Sequence, residues 1–311
     1  MDNNNKKLLV IFPERNRTEH QKIIIPYIKK YLDLRNIKYK IIIVHQDNEI
    51  RFNKGILMNI GFKYAVNNNL DFDYICLHDI DMIPFSPILS DVLKNDTSFY
   101  YYKNDEPNYY YTDTIRRPFG TIYSTKLEKQ FVHTPENQYD QLGGVVIMNR
   151  DVYEQINGFS NIFENWGQED NNLTNRSRQK NINIDFNIDN NFVALDHTKS
   201  PVNHKNHKIF SDHCTGLTTL KITDKLPSFN NLKEQYYKIN KIINVDDVTE
   251  LYVDFPPINE KDNNVCVMSD NNMINYELIN SDNLYMLTFL IISFMVLLLV
   301  AFLILMHIEQ K

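Results

Sequence analysis

Tyr74-Ile75-Cys76-Leu77-His78-Asp79-Ile80-Asp81-Met82-Ile83-Pro84 decides how the chain reads. An apolar run enters two carboxylates spaced i, i+2, and a proline ends it. On an extended chain side chains alternate, so Asp79 and Asp81 share one face and Ile80 takes the other. Two neighbouring carboxylates repel unless a cation or a proton lies between them. At the carboxyl end of a buried strand, where open α/β sheets bind ligands, a hard divalent cation meets that need. A solvated strand end is the plainer alternative, and the rest of the chain has to decide.

Upstream, Lys7 to Pro13 reads as a buried strand stopped by proline. A polar loop, Glu14 to His20, follows, and Thr18 is placed to cap a helix carrying Ile24, Ile25, Tyr27, Ile28 and Tyr31 at helical spacing. Tyr39 to His45 is a second strand, and Phe52-Asn53-Lys54 opens a second helix. With the strand that delivers Asp79 and Asp81, this predicts a right-handed βαβαβ unit on a parallel sheet. Neither G-x-G-x-x-G nor a Walker A sequence is present, which disfavours a dinucleotide site or a P-loop ATPase.

Composition narrows the class. The 311 residues are 43% hydrophobic and 23% charged, enough for one large α/β domain or two small ones. A net charge of −6 without a basic run argues against a nucleic-acid partner. Three cysteines, Cys76, Cys214 and Cys266, form no paired spacing and fit a reducing compartment. Four Asn-x-Ser/Thr sequons occur, at Asn16, Asn95, Asn172 and Asn175.

Downstream, Ser90 to Gln141 is polar and irregular, with tyrosines at 100–102 and 109–111. It reads either as a surface insertion or as a loop that covers a sugar. Leu142 to Met148 is predicted as a strand whose Gly143-Gly144 allows close backbone approach. Arg150 to Ile156 reads as a helix ended near Asn157-Gly158. Then comes a second acidic centre, Phe163-Glu164-Asn165-Trp166-Gly167-Gln168-Glu169-Asp170, which holds the sole tryptophan. Glu169 and Asp170 stand at the start of a helix, where the dipole favours acids. They are either helix-capping acids or catalytic ones. A strand-like segment ends at Ala194-Leu195-Asp196-His197, and His204, His207 and His213 follow. These are surface histidines, or at least one is a metal ligand.

Residues 258–283 are polar and Asn-rich and read as a stalk, while Leu284 to Met306 runs 23 residues without a charge. That length spans a bilayer as a helix, and the run is apolar all round. The N-terminus lacks a signal peptide's apolar region. We therefore expect a catalytic domain at 1–257, a stalk, and a single-pass C-terminal anchor at 284–306 that leaves the domain in the cytosol.

Several of these motifs line up in one order. Pro13-Glu14-Arg15-Asn16-Arg17 with Glu19-His20, Phe52-Asn53-Lys54, Asp79-Ile80-Asp81, Gly143-Gly144-Val145, Asn157-Gly158-Phe159, Trp166-Gly167-Gln168-Glu169-Asp170 and Thr215-Gly216-Leu217 together resemble the β-1,4-galactosyltransferase family. The resemblance runs from about Leu8 to Lys221. It implies an α/β fold of the GT-A type, a Rossmann-like nucleotide-sugar-binding sheet, and an inverting transferase that needs Mn²⁺ and UDP-galactose. It places Pro13, Arg15, Arg17, Phe52, Asn53, Lys54, Asp79, Ile80, Gly144 and Trp166 at the donor. Asp81 and His197 become the metal ligands, Asp170 the general base, and Glu169 a contact to a glycan acceptor. Trp166 also stacks on sugars in that scheme.

The chain departs from the pattern in places. Glu14 stands where the family has Phe. Ala194 replaces a methionine three residues before the histidine, which brings Asp79, water, His204 or His207 into question as further ligands. Gln141 occupies the donor-selecting position, so UDP-GalNAc is an alternative donor. Asn171 replaces an acid on the acceptor side. The rival class is a non-catalytic, membrane-tethered glycan-binding protein on a transferase fold. It predicts loss of the base or the metal ligands, and Asp79, Asp81, Glu169, Asp170 and His197 are all present.

Overall fold

The computed structural model describes residues 6–34, 36–84, 115–117, 121–124, 141–186, 191–195, 205–206, 217, 220–223 and 235–257. These fall within one compact unit, residues 1–266. The chain begins β1 (Lys7–Glu14), α1 (Thr18–Asp33), β2 (Lys38–Gln46), α2 (Lys54–Asn67) and β3 (Tyr74–His78). β4 (Met82–Pro84), β5 (Ile115–Arg117), β6 (Thr121–Ser124) and β7 (Val145–Asn149) come next. Then follow α3 (Arg150–Gln155), α4 (Glu169–Gln179), β8 (Ile184–Phe186), β9 (Asn191–Ala194), β10 (Leu220–Ile222), β11 (Gln235–Val245) and β12 (Val248–Asp254).

Among the described residues nine strands form one sheet, ordered β10-β11-β12-β2-β1-β3-β7-β5-β8, and β4, β9 and β6 form a second. The predicted parallel unit is there: β1 lies between β2 and β3 and is parallel to both. β12 adds a further parallel strand beside β2, and β7 runs antiparallel to β3. The continuous apolar character of β1 and β2 follows from burial on both faces. Leu8, Val10 and Phe12 pack with Ile24, Tyr27 and Ile28 of α1, while Leu9 and Ile11 pack with Ile56, Leu57 and Ile60 of α2.

Three local expectations are corrected. Thr18 is not the cap of α1 but its first residue; Arg17 occupies the cap position without a side-chain hydrogen bond. The β3 strand stops at His78, one residue before the acids. Asp79-Ile80-Asp81 instead forms a tight turn, closed by Met82 N–H donating to the Asp79 carbonyl at 3.1 Å. Ile80 is still buried and both aspartates are half-buried, so the side-chain separation survives although its cause is a turn rather than strand pleat. Finally, β7 begins at Val145, because residues 141–144 leave the ladder to meet α4.

α2 is buried almost all round, from Gly55 to Phe62, because the sheet covers one side and residues 157–165 cover the other. Asn53 caps it, accepting from Ile56 N–H at 2.9 Å and donating to the Asn161 carbonyl at 2.7 Å. One turn on, the fully buried Asn59 amide uses every bonding position. Its oxygen accepts from Tyr153 Oη at 2.7 Å and Phe159 N–H at 3.0 Å, and its nitrogen donates to the Phe159 carbonyl at 2.7 Å and Asn161 Oδ1 at 2.8 Å. This fixes the loop that leads to the second acidic centre. Asn59→Ala leaves those partners dry and unpaired, and we expect it to lower unfolding free energy by about 3 kcal/mol in a denaturant titration.

Candidate active site

The two acidic centres meet on one lysine. Lys54, the first residue of α2, lies with its Nζ 2.9 Å from Asp79 Oδ1 and 3.2 Å from Asp170 Oδ1. The Lys54 side chain is 11% exposed, against 29% for Asp79 and 19% for Asp170, so the group is largely shielded from water. Burial disfavours the ammonium, but Asp170, Asp79 and Glu169 outweigh it and hold Lys54 protonated beyond its ordinary range. Burial likewise raises the Asp170 carboxyl well above the usual carboxylate range; Lys54 opposes the shift and Glu169 and Asp79 add to it. Burial raises Glu169 as well, again against Lys54.

Hydrogen bonds along α4 and the two-glycine segment place the acids. Glu169 and Asp170 open α4, and Glu169 accepts from Gly167 N–H at 3.0 Å. Thr174 donates to the Asp170 carbonyl and accepts from Leu142 N–H, both at 2.7 Å, which ties the start of α4 to the two-glycine segment. A Cβ on Gly143 would lie 2.3 Å from Asp170 Oδ2, so only glycine leaves room for that carboxylate. Gly144 has φ +73 and accepts at its carbonyl from Asp79 N–H at 2.8 Å. The Gly-Gly pair thus touches both centres.

On the other flank, Arg15 sits 5.4 Å above the Phe52 ring and bonds the Ile50 carbonyl. Asn165 N–H donates to the Phe52 carbonyl at 2.6 Å, which draws the second acidic loop onto the start of α2. Trp166 is 59% exposed and stands at the rim. Asn206 donates to the Gly167 carbonyl at 2.7 Å and to the Glu164 carbonyl at 3.1 Å.

Asp79 and Asp81 carry hard oxygen donors of the kind a divalent cation takes, with Lys54 bonded to the Asp79 carboxylate in this structure. Leu195 N–H donates to the Asp81 carbonyl at 2.7 Å, so β9 ends against this turn. His197 comes two residues later in the sequence. His197, with His204, His207 and His213, lies outside the described residues. Among the described residues no group of three or more His, Cys, Asp or Glu side chains gathers for a metal.

A family model described as the N-terminal region of glycosyl transferase group 7 matches residues 3–88. A second, described as the N-terminal domain of galactosyltransferase, matches residues 125–208. Together they take in more than half of the chain. The chain belongs to the β-1,4-galactosyltransferase family. The β-1,4-galactosyltransferase 5 of Sus scrofa is 30% identical over 178 residues, 57% of this chain and 39% of that protein. The β-1,4-galactosyltransferase 7 of Drosophila melanogaster is 27% identical over 229 residues, 69% of this chain and 62% of that protein. The chain therefore spans less than two thirds of the length of either relative. A crystal structure of a mutant of the Drosophila enzyme, in complex with manganese, UDP-Gal and xylobiose, superposes with a TM-score of 0.58 at 23% identity. It covers 85% of this chain and 100% of that one, and the two share the GT-A fold.

Against this family pattern, the structure brings Lys54, Asp79, Glu169, Asp170 and Gly143 into one cluster. Pro13, Arg15, Arg17, Phe52, Asn53, Gly144 and Trp166 lie on the segments around it, while Ile80 is buried in the α1-side core. The sequence places Lys54 at the donor but does not show that it joins the two acidic centres. A lysine at a helix start carries no signal of partners 25 and 116 residues away. Of the sequons, Asn172 is fully buried, so the folded chain offers no site for a glycan there; Asn16 is exposed and Asn95 lies outside the described residues.

Lys54→Met removes the cation among three acids. The carboxyls then take up protons in the folded state, so stability falls as pH rises through their raised values. We expect a loss of about 3 kcal/mol at pH 8 and a smaller one at pH 5, read from denaturant midpoints at both pH values.

Proposed function

We propose that this chain is an inverting, manganese-dependent transferase that moves galactose from UDP-galactose to a hydroxyl of a glycan or glycoconjugate. The observation that carries the reading is the bridge from Lys54 to Asp79 and Asp170: one ammonium holds the carboxylate of the Asp-x-Asp turn and the first turn of α4 side by side. Family membership supports the reaction class, and the structural neighbour bound to manganese, UDP-Gal and xylobiose supports a nucleotide-sugar donor and a sugar acceptor.

In this reading Asp170 is the general base. Its Oδ accepts the proton of an acceptor hydroxyl while that oxygen bonds to the anomeric carbon. The bond from that carbon to the diphosphate breaks on the opposite face, and its electron pair leaves with UDP. A buried carboxylate with raised proton affinity suits the task better than a solvated one. Glu169 orients the acceptor, and Trp166 offers an exposed aromatic face to its ring. Arg15, Arg17 and Lys54 add fixed positive charge beside the leaving diphosphate. Asp81 and His197, with Asp79 adjacent, would hold manganese, which when bound neutralises charge on the diphosphate.

Residues 284–306 lie outside the described residues, and no described helix is long and apolar enough to cross a membrane. We propose on sequence grounds that this run tethers the domain to a membrane.

UDP release by the full chain in detergent, with UDP-galactose, UDP-GalNAc and UDP-glucose and a panel of monosaccharide acceptors, tests the reading. The wild type should turn over one donor only with Mn²⁺, and the donor chosen reports the role of Gln141. Asp170→Asn should keep UDP–Mn²⁺ affinity and lose about a thousandfold in transfer. Normal turnover by that variant would overturn the assignment of the base, and a wild type that binds no UDP would overturn the transferase reading.

A further inference from the structure

The α1-side face of the sheet is apolar along β1 and β2 until its carboxyl edge, where it turns polar in register. Glu14 pairs with His45 across the β1–β2 ladder, and His45 pairs with Tyr252 across the β2–β12 ladder. Three neighbouring strands therefore present a carboxylate, an imidazole and a phenol side by side. Glu14 Oε2 lies 2.5 Å from His45 Nδ1, and Glu250 Oε2 lies 3.1 Å from His45 Nε2. The imidazole stacks on Tyr252 at 4.3 Å with 7° between planes, and Tyr252 Oη donates to Glu250 at 3.1 Å. Gln21 of α1 donates to the other Glu250 oxygen at 2.9 Å.

Glu14 and His45 are 4% and 7% exposed, and neither touches Lys54, Asp79 or Asp170 among the contacts that define the site. Burial pushes the Glu14 carboxyl up, yet hydrogen bonds from His45 and from Arg17 N–H outweigh it and hold it below its ordinary range. The second bond gives the ladder its reach. Glu14 Oε1 accepts from Arg17 N–H at 2.5 Å and closes the turn Glu14-Arg15-Asn16-Arg17, in which Asn16 adopts φ +58. Asparagine tolerates the left-handed region, and the bond from Arg17 N–H selects this turn among the conformations open to the loop. The backbone of Arg17 thus depends on a carboxylate that is itself gripped from behind by His45 and, through His45, by Glu250.

We propose that the Glu14–His45–Glu250 ladder is a positioning device for the turn that presents Arg15 and Arg17 to the donor, so that nucleotide affinity depends on side chains that do not contact the nucleotide. This rests on the reading of that turn as part of the donor site. The ladder stands where the family pattern carries Phe in place of Glu14, so this chain sets the turn by polar contacts rather than by apolar packing.

UDP affinity of the full chain in the presence of Mn²⁺, with donor KM and kcat measured alongside, tests it. Glu14→Ala should weaken UDP binding and raise donor KM by about tenfold, the loss of one hydrogen bond to a charged group, with kcat within about threefold of wild type. Glu14→Gln keeps an acceptor for Arg17 N–H and should restore affinity to within about threefold. His45→Ala withdraws the support from the other side, and the Glu14→Ala/His45→Ala pair should bind no worse than Glu14→Ala alone. Should Glu14→Ala not fold, His45→Ala and Glu14→Gln carry the test. UDP affinity unchanged in His45→Ala, or losses that simply add in the double variant, would overturn the ladder while leaving the transferase reading intact. A wild type that binds no UDP would overturn both.

Discussion

Three carboxylates are gathered around one ammonium, and the structure about the site is arranged to make that gathering tolerable. Asp79, Glu169 and Asp170 come from a turn after β3 and from the start of α4, segments distant in sequence and mutually repulsive. Lys54 supplies the compensating charge, and its position is set by α2, which is in turn fixed by the Asn53 cap and by the Asn59 amide. The Asn59 contacts also hold residues 159–161, which lead directly to Trp166 and the acids. A polar network inside an apolar core therefore sets the distance between the two halves of the site. Full satisfaction of the Asn59 amide matters here, since a partly bonded network would be a liability in that interior.

The parallel unit was legible because β1 and β2 are buried on both faces and carry unbroken apolar runs, and because α1 shows helical spacing. The turn at Asp79-Ile80-Asp81 was legible in chemistry but not in form. Its three residues satisfy strand alternation and a tight turn equally well, and only the bond from Met82 to Asp79 separates the two. Thr18 misled for a related reason: a good capping residue is present, but Glu14 three residues before Arg17 bonds the turn instead. The β7 start was misplaced because Gly143 and Gly144 are consumed by contact with Asp170 and Asp79, and that demand comes from residues distant in sequence.

Long-range pairings were the illegible part of the site. Lys54, Gly143 and His45 each carry an ordinary local signal: helix start, strand glycine, strand end. Their roles come from hydrogen-bonded partners between 25 and 205 residues away, and no periodicity encodes such a pairing. The β11–β12 hairpin adds to this. Its placement beside β2, which brings Glu250 and Tyr252 to His45, follows from sheet order alone.

Trp166 is the only tryptophan in the chain and is 59% exposed in the folded state. It is already largely open to water, so unfolding exposes less new surface there than at a buried aromatic residue. The same exposure suits it to report occupancy of the rim, because any molecule seated on the ring displaces water from the chain's single indole. Unfolding, read by backbone circular dichroism, and occupancy of the rim, read by the single indole, thus fall on different spectral signals without any added label.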